Sequence, residues 1–135
     1  MKKFELTTES ITFLGRKLFR IKALISFGNV EAGELGGYIE KEGNLSHEGN
    51  AWVCGDARVC GDADIATISG FGSKYRTTTF FRTKNDEIAV KCGCFYGTLA
   101  EFREKVKETH GDNRYAKEYL MIADLMEMHF RGEEE

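Results

Sequence analysis

Gly49-Asn50-Ala51-Trp52-Val53-Cys54, Gly55-Asp56-Ala57-Arg58-Val59-Cys60 and Gly61-Asp62-Ala63-Asp64-Ile65-Ala66 follow one another without a gap, and their reading decides the fold. Small residues recur at Ala51, Ala57 and Ala63, β-branched residues at Val53, Val59 and Ile65, and Gly-Asn or Gly-Asp opens each block. A period of about six residues is that of hexapeptide β-helices. In an extended segment, residues two apart point to the same side, so the Ala and Val positions fill one narrow interior. Gly adopts conformations closed to other residues and Asp bonds its own backbone, so each Gly-Asp turns a corner. A plain series of antiparallel hairpins is the alternative, and it does not require so regular a spacing. The pattern predicts a mainly β chain with C-terminal helices (α+β). Its parts are a short left-handed-type β-helix over 37–70, N-terminal strands over 1–36 capping that solenoid, and a hairpin with two α-helices over 71–135.

Upstream of the repeat, Phe4–Thr7, Ile11–Leu14 and Lys17–Leu24 read as strands, with Gly15-Arg16 as the turn before the last. A solenoid end left open is a sticky edge, which makes capping the economical role for these strands. Downstream, Gly70-Phe71-Gly72-Ser73 breaks the period. Arg76–Lys84 is rich in Thr and Phe and reads as a strand. Asn85-Asp86 supplies a turn, and Glu87–Phe95 alternates Ile88, Val90, Cys92 and Cys94 on one face, which predicts a hairpin. Thr98-Leu99-Ala100-Glu101 is a capping-box signature opening a helix with the stripe Leu99, Phe102, Val106. Gly111 ends that helix, and Asp112 is placed to cap a second one carrying Tyr115, Tyr119, Ile122, Met126 and Phe130.

Three further runs extend the pattern: Leu35-Gly36-Gly37-Tyr38-Ile39-Glu40, Asn44-Leu45-Ser46-His47-Glu48-Gly49 and the lead-in Leu18-Phe19-Arg20-Ile21-Lys22-Ala23-Leu24. With the Gly-Asp-Ala blocks they resemble a group of bacterial and prophage hexapeptide-repeat proteins, often described as transferases or polymer-forming cytoskeletal proteins. Thr77-Thr78-Thr79-Phe80-Phe81-Arg82-Thr83, Cys92-Gly93-Cys94-Phe95 and Thr109-His110-Gly111-Asp112 resemble a C-terminal module of phage-encoded members. The resemblance implies a repeat architecture and a phage accessory role, but a fold of this kind does not determine an activity. Catalytic hexapeptide acyltransferases resemble longer solenoids with a histidine between subunits. Here the repeat spans fewer than two coils, and His47 falls in the inward register of Val53 and Val59, as a buried histidine near the solenoid end.

The 135 residues carry a net charge of −3, with 41% hydrophobic and 30% charged residues, an ordinary globular balance. No global basic field exists to attract duplex nucleic acid. Basic residues nevertheless cluster at Lys2, Lys3, Arg16, Lys17, Arg20 and Lys22 and again at Lys74, Arg76, Arg82, Lys84 and Lys91, while Glu133-Glu134-Glu135 is acidic and reads as a frayed tail. No apolar run reaches membrane-spanning length and Met1-Lys2-Lys3 leads into no signal-peptide core, so the expected location is the cytoplasm, that of the host if phage-encoded. Cys54, Cys60, Cys92 and Cys94 then read as reduced thiols.

Chemistry concentrates in Gly72–Thr79 and Cys92–Thr98. A Gly-Ser loop exposes backbone N–H groups, arginine offers a fork of donors, threonines add hydroxyls, and Thr98 starts a helix whose free N–H groups favour an anion. Phe and Tyr rings give a base a face to stack on. The expected ligand-binding set is Ser73, Arg76, Thr77, Thr78, Phe81, Phe95, Tyr96 and Thr98, for a small anionic or nucleotide-like ligand. Equally, Thr and Phe suit strands, and Gly and Ser suit turns. No P-loop and no Gly-x-Ser-x-Gly elbow occurs. Cys92-x-Cys94 has one intervening residue where zinc knuckles have two to four, so neither a metal nor a cofactor is expected. No catalytic residue is assigned. Trp52 and Arg58 stand in the outward register, where an exposed tryptophan marks a subunit contact in a homo-oligomer; cover by the C-terminal module is the alternative.

The reading that results is a non-enzymatic phage-type binding protein, an anti-defence candidate that sequesters a nucleotide-derived host signal or blocks a host defence protein. A hexapeptide-repeat acyltransferase relative and a structural, protein-blocking oligomer are the rivals.

Overall fold

The computed structural model describes residues 2–72 and 76–131, and for Arg76 the backbone only. The chain opens with a hairpin of β1 (Phe4–Phe13) and β2 (Arg16–Ala23), in which Phe13 pairs with Arg16 and Phe4 with Ala23. Leu14 and Gly15 form the two-residue turn with φ of 52° and 79°, the left-handed pair that matches the twist of a hairpin. One strand thus replaces the two short ones expected over 4–14, with an irregularity between Leu6 and Ser10. β3 (Leu35–Ile39) adds antiparallel to β2, and β4 (Arg58–Val59) adds parallel to β3, completing a four-stranded sheet in the order β1-β2-β3-β4.

The repeat does not coil into a solenoid. Its blocks contribute one parallel pair, Tyr38 with Arg58 and Ile39 with Val59, and the Asn44 amide reaches Asp62 Oδ1 at 2.9 Å. The last block leaves this sheet altogether. Ile65–Phe71, read from the sequence mostly as the tail of the repeat, is β5 of a second sheet. That sheet is an antiparallel meander of β5, β6 (Arg76–Arg82), β7 (Ile88–Cys92) and β8 (Phe95–Thr98). The Gly93-Cys94 turn, with Gly93 at φ 61°, divides the segment expected to run as one strand to Phe95.

α1 (Leu99–His110) follows β8 directly. The Thr98 hydroxyl accepts from the Glu101 N–H while the Glu101 carboxylate accepts from the Thr98 N–H, the reciprocal cap expected from the sequence. α2 (Arg114–Arg131) is capped by Asn113, whose Oδ1 accepts from the Ala116 N–H at 3.1 Å; Asp112 does not take that place. The chain is therefore mainly β with two C-terminal helices.

Two apolar cores result, and the second sheet has one face in each. Phe81 and Ala89 join Phe4, Ile21, Ile39, Ala51, Trp52, Val53, Ala57 and Val59 in the first. Phe80 and Val90 join Leu99, Phe102, Val106, Tyr119, Ile122 and Phe130 in the second. Ala51, Val53, Ala57 and Val59 are buried as the period predicted, but Trp52 is buried as well, at 0% exposure. Its backbone N–H donates to Thr79 Oγ1 of β6, and its ring meets Phe27 edge-on at 5.5 Å. The outward side of that segment is covered by the second sheet, so the indole has no surface left for another subunit. Space for it comes from Gly36, where a Cβ would lie 2.7 Å from the Trp52 ring and 2.6 Å from the Val53 carbonyl. No described helix is long and apolar enough to cross a membrane.

Candidate functional site

Strand alternation separates the residues expected to share a ligand. Thr77, Thr79 and Phe81 face the first core, and Thr78, Phe80 and Arg82 face the helices. Thr78 is buried and donates to Cys92 Sγ at 3.2 Å. Phe95, on the same side, packs against Phe102 with ring centroids 5.9 Å apart. Phe81 is fully buried, and Tyr96 stacks parallel to it at 6.3 Å while staying 43% exposed, its hydroxyl accepting from the Asp56 N–H. Thr98 is committed to its cap, and the Glu101 carboxylate already occupies the helix start where an anion was expected. Ser73 and the Arg76 side chain lie outside the described residues. The described members of the expected set thus do not share one site. Of its members, Thr77 is the one that lines a cleft on the face toward the first sheet.

That cleft, of about 280 Å³, lies where the loop after β2 approaches the second sheet, and Gly28, Asn29, Val30, Asn50, Thr77, Lys91 and Gly93 line it. Lys91 pairs with Tyr96 across the ladder, and its ammonium is held by the Gly93 carbonyl at the β7–β8 turn. Thr77 Oγ1 shares a hydrogen bond of 2.9 Å with Ser69 Oγ. Two side-chain amides, a hydroxyl and an ammonium therefore meet there. No carboxylate stands among the described residues lining the cleft.

Behind Asn50 lies a second cation. Lys3 is 1% exposed, and its ammonium donates to the carbonyls of Ala51 (2.6 Å) and Gly49 (3.4 Å), the two residues flanking Asn50. The Phe27 ring lies 4.7 Å from it. It makes no ion pair among the described residues, and burial brings its pKa down to about 8. The Lys3 N–H donates to His47 Nδ1 at 3.0 Å, which leaves the proton on Nε2 to bond the Glu42 carboxylate at 2.6 Å. His47 also stacks on Phe4 at 4.3 Å. Nδ1 thus ties His47 to the backbone just before β1 and Nε2 ties it to Glu42, while the ring, expected to be buried near a solenoid end, stays partly exposed. The hydrogen bonds to His47 and Lys2 hold Glu42 below the usual carboxylate range.

Compared with protein-family models, curated proteins and solved structures, the chain has no match in any of the three. The hexapeptide-repeat likeness thus stands on the quoted motifs alone.

The remaining reactive groups are dispersed. Burial pushes the Cys54 thiol up to about 11, and burial with the nearby Asp64 raises Cys60. Cys94 is exposed on the turn. No group of three metal-ligating side chains occurs among the described residues. Arg58, expected at a subunit contact, lies over the Tyr38 ring at 4.8 Å and donates to the Ala57 carbonyl. Sequence reading missed Gly28-Asn29 and Asn50 as site residues. Their only signal is the Gly-Asn dipeptide, which marks turns and says nothing of which turns converge.

Proposed function

We propose that this chain is a binding protein that holds a small anionic group, such as the phosphate of a nucleotide-like molecule, in the cleft between the β2–β3 loop and the second sheet. The observation that carries this reading is the cleft's lining: Lys91, Asn29, Asn50 and Thr77 converge without a carboxylate, and the Lys3 ammonium sits behind the Asn50 peptide. Ammonium and amide donors around a small polar hollow suit phosphate or carboxylate oxygens. The volume sets the scale. About 280 Å³ is below the roughly 300–1,000 Å³ of sites that enclose whole ligands, so the cleft takes one end of a nucleotide and leaves the rest outside.

No base stands beside a nucleophile among the described residues, and we favour binding over catalysis. An acyltransferase groove needs stacked coils, and a single parallel pair favours that alternative less. The resemblance to phage-encoded proteins supplies the context we favour, sequestration of a nucleotide-derived host signal in the host cytoplasm. Calorimetric titration with inorganic phosphate, ribose 5-phosphate, AMP and a cyclic dinucleotide tests the site. Binding of at least one phosphorylated probe, weakened about tenfold or more by Lys91→Gln through loss of one charge-assisted contact, is the expected result. Absence of binding to all four at millimolar concentration overturns the proposal.

A further inference from the structure

A cavity of about 420 Å³ lies between the β1–β2 turn, which gives it Phe13 and Leu14, and the β6–β7 turn, which gives it Thr83, Lys84 and Asp86. It shares no lining residue with the cleft described above. An isolated antiparallel bridge between Ala57 and Thr83, continued by the Lys84 N–H donating to the Asp56 carbonyl at 2.9 Å, joins the two sheets beside it. The sense of that bridge sets Arg58 next to Arg82. Like charges opposite one another repel, so each of the two calls for an anion.

Arg82 has its anions. Its guanidinium pairs with Asp64 at 2.8 Å and with Asp86 at 3.2 Å, and it also donates to the Phe130 carbonyl. Lys84 stands 3.8 Å from Asp56. Arg58 makes no ion pair among the described residues. Its guanidinium lies over the Tyr38 ring at 4.8 Å and the Phe13 ring at 6.0 Å, with Nη1 donating to the Ala57 carbonyl at 2.9 Å. Two rings and a carbonyl therefore hold a charged fork in place at the cavity wall, and a fork so held loses little freedom on taking a carboxylate.

The rest of the lining selects the ligand. Arg58, Arg82 and Lys84 set against Asp64 and Asp86 leave one positive charge, which matches a monoanion; a phosphate dianion would exceed it. Phe13 and Leu14 offer apolar surface. Leu14 is 82% exposed at a left-handed turn position where Asn, Asp or Gly is ordinary, so neither packing nor turn geometry accounts for a leucine there. The volume falls within the roughly 300–1,000 Å³ of sites that enclose small ligands. We propose that this cavity binds the carboxylate end of an apolar acid, with the carboxylate on Arg58 and Lys84 and the apolar body against Phe13 and Leu14.

Calorimetric titration with N-acetyl-leucine, N-acetyl-leucinamide and acetate tests the site. N-acetyl-leucine is expected to bind with a dissociation constant on the order of 0.1–1 mM. The amide, which brings no charge to Arg58, and acetate, which brings no body to Phe13 and Leu14, each bind about tenfold more weakly or worse. Arg58→Gln lowers the affinity about tenfold or more, and Arg58→Lys, which keeps the charge without the fork, lowers it less. Lys84→Gln, at a half-exposed side chain, weakens binding several-fold while leaving the fold intact. A pentapeptide ending in leucine with a free carboxylate separates the sources. Binding like that of N-acetyl-leucine assigns the acid to a chain end, and exclusion assigns it to a free molecule. Absence of N-acetyl-leucine binding at about 10 mM overturns the proposal. So does an amide or acetate that binds as well as N-acetyl-leucine, or an affinity that neither Arg58→Gln nor Lys84→Gln lowers.

Discussion

Lys3 is the residue whose removal most directly tests the packing described here. An ammonium in the first core with carbonyls and a ring as partners has lost its hydration, and its pKa falls from 10.5 to about 8. Below pH 8 the folded and unfolded chains both carry the proton, and the folded one bears the cost of a buried charge. Between pH 8 and 10.5 the unfolded chain keeps a proton that the folded one has released, so stability rises with pH, by up to about 1.4 kcal/mol per unit. Over the whole window the gain is roughly 3 kcal/mol. Cys54 acts in the opposite sense. Its pKa is raised from 9.0 to about 11, so its contribution is complete below pH 9 and is lost as pH climbs through 11. Lys3→Met isolates the lysine: the substitution keeps the chain length and removes the titration. Urea unfolding followed by the fluorescence of Trp52, the single tryptophan, gives the stability of both proteins at pH 7, 8, 9 and 10. Near pH 7 the variant loses two hydrogen bonds and a desolvated charge together, and these effects offset to within about 2 kcal/mol. By pH 10 the lysine is neutral, and the variant is the less stable by roughly 2 kcal/mol more than at pH 7. A difference between the two proteins that stays flat from pH 7 to pH 10 refutes a buried, desolvated amine.

Thr98→Ala removes the reciprocal cap of α1 and costs about 1 kcal/mol in urea unfolding, with no change in the slope of the transition. Gly36→Ala forces a methyl group against the Val53 carbonyl and the Trp52 ring, destabilises the chain by at least about 2 kcal/mol, and shifts the emission of Trp52 to the red. At pH 8, iodoacetamide labels Cys94 first, and mass spectrometry shows Cys54 lagging an ordinary thiol by about 100-fold, since its thiolate fraction is lower by that factor. Equal labelling of the two would mean that Cys54 is not where the packing puts it.

The inward positions Ala51, Val53, Ala57 and Val59 were legible because alternation reports which side of an extended segment is apolar. For Trp52 it left a subunit contact and cover by the C-terminal module both open, because alternation does not report whether the other side is also covered, and here the Thr79 side of β6 covers it. The same limit explains the candidate site. Thr77 and Thr78 are adjacent in sequence and belong to opposite faces, so a run of ligand-like residue types on a strand overstates what one ligand can touch. The helices were legible to within a residue, since Thr98, Glu101 and Gly111 are local signals that need no partner from elsewhere in the chain. The six-residue period failed at a distance. Ile65 could continue the coil or pair with Phe81, and antiparallel pairing of Ile65–Ile68 with β6 offers more backbone hydrogen bonds than one further corner.

β6 places Phe80 in one core and Phe81 in the other, so a single layer of backbone separates the two apolar clusters. Fraying of the helices exposes the back of the strand against which Trp52 is wedged, and loss of the N-terminal hairpin bares its front. Amide protons of β6 should therefore exchange only through opening of the whole chain. Their protection should equal the global unfolding free energy, with the two halves melting in a single step.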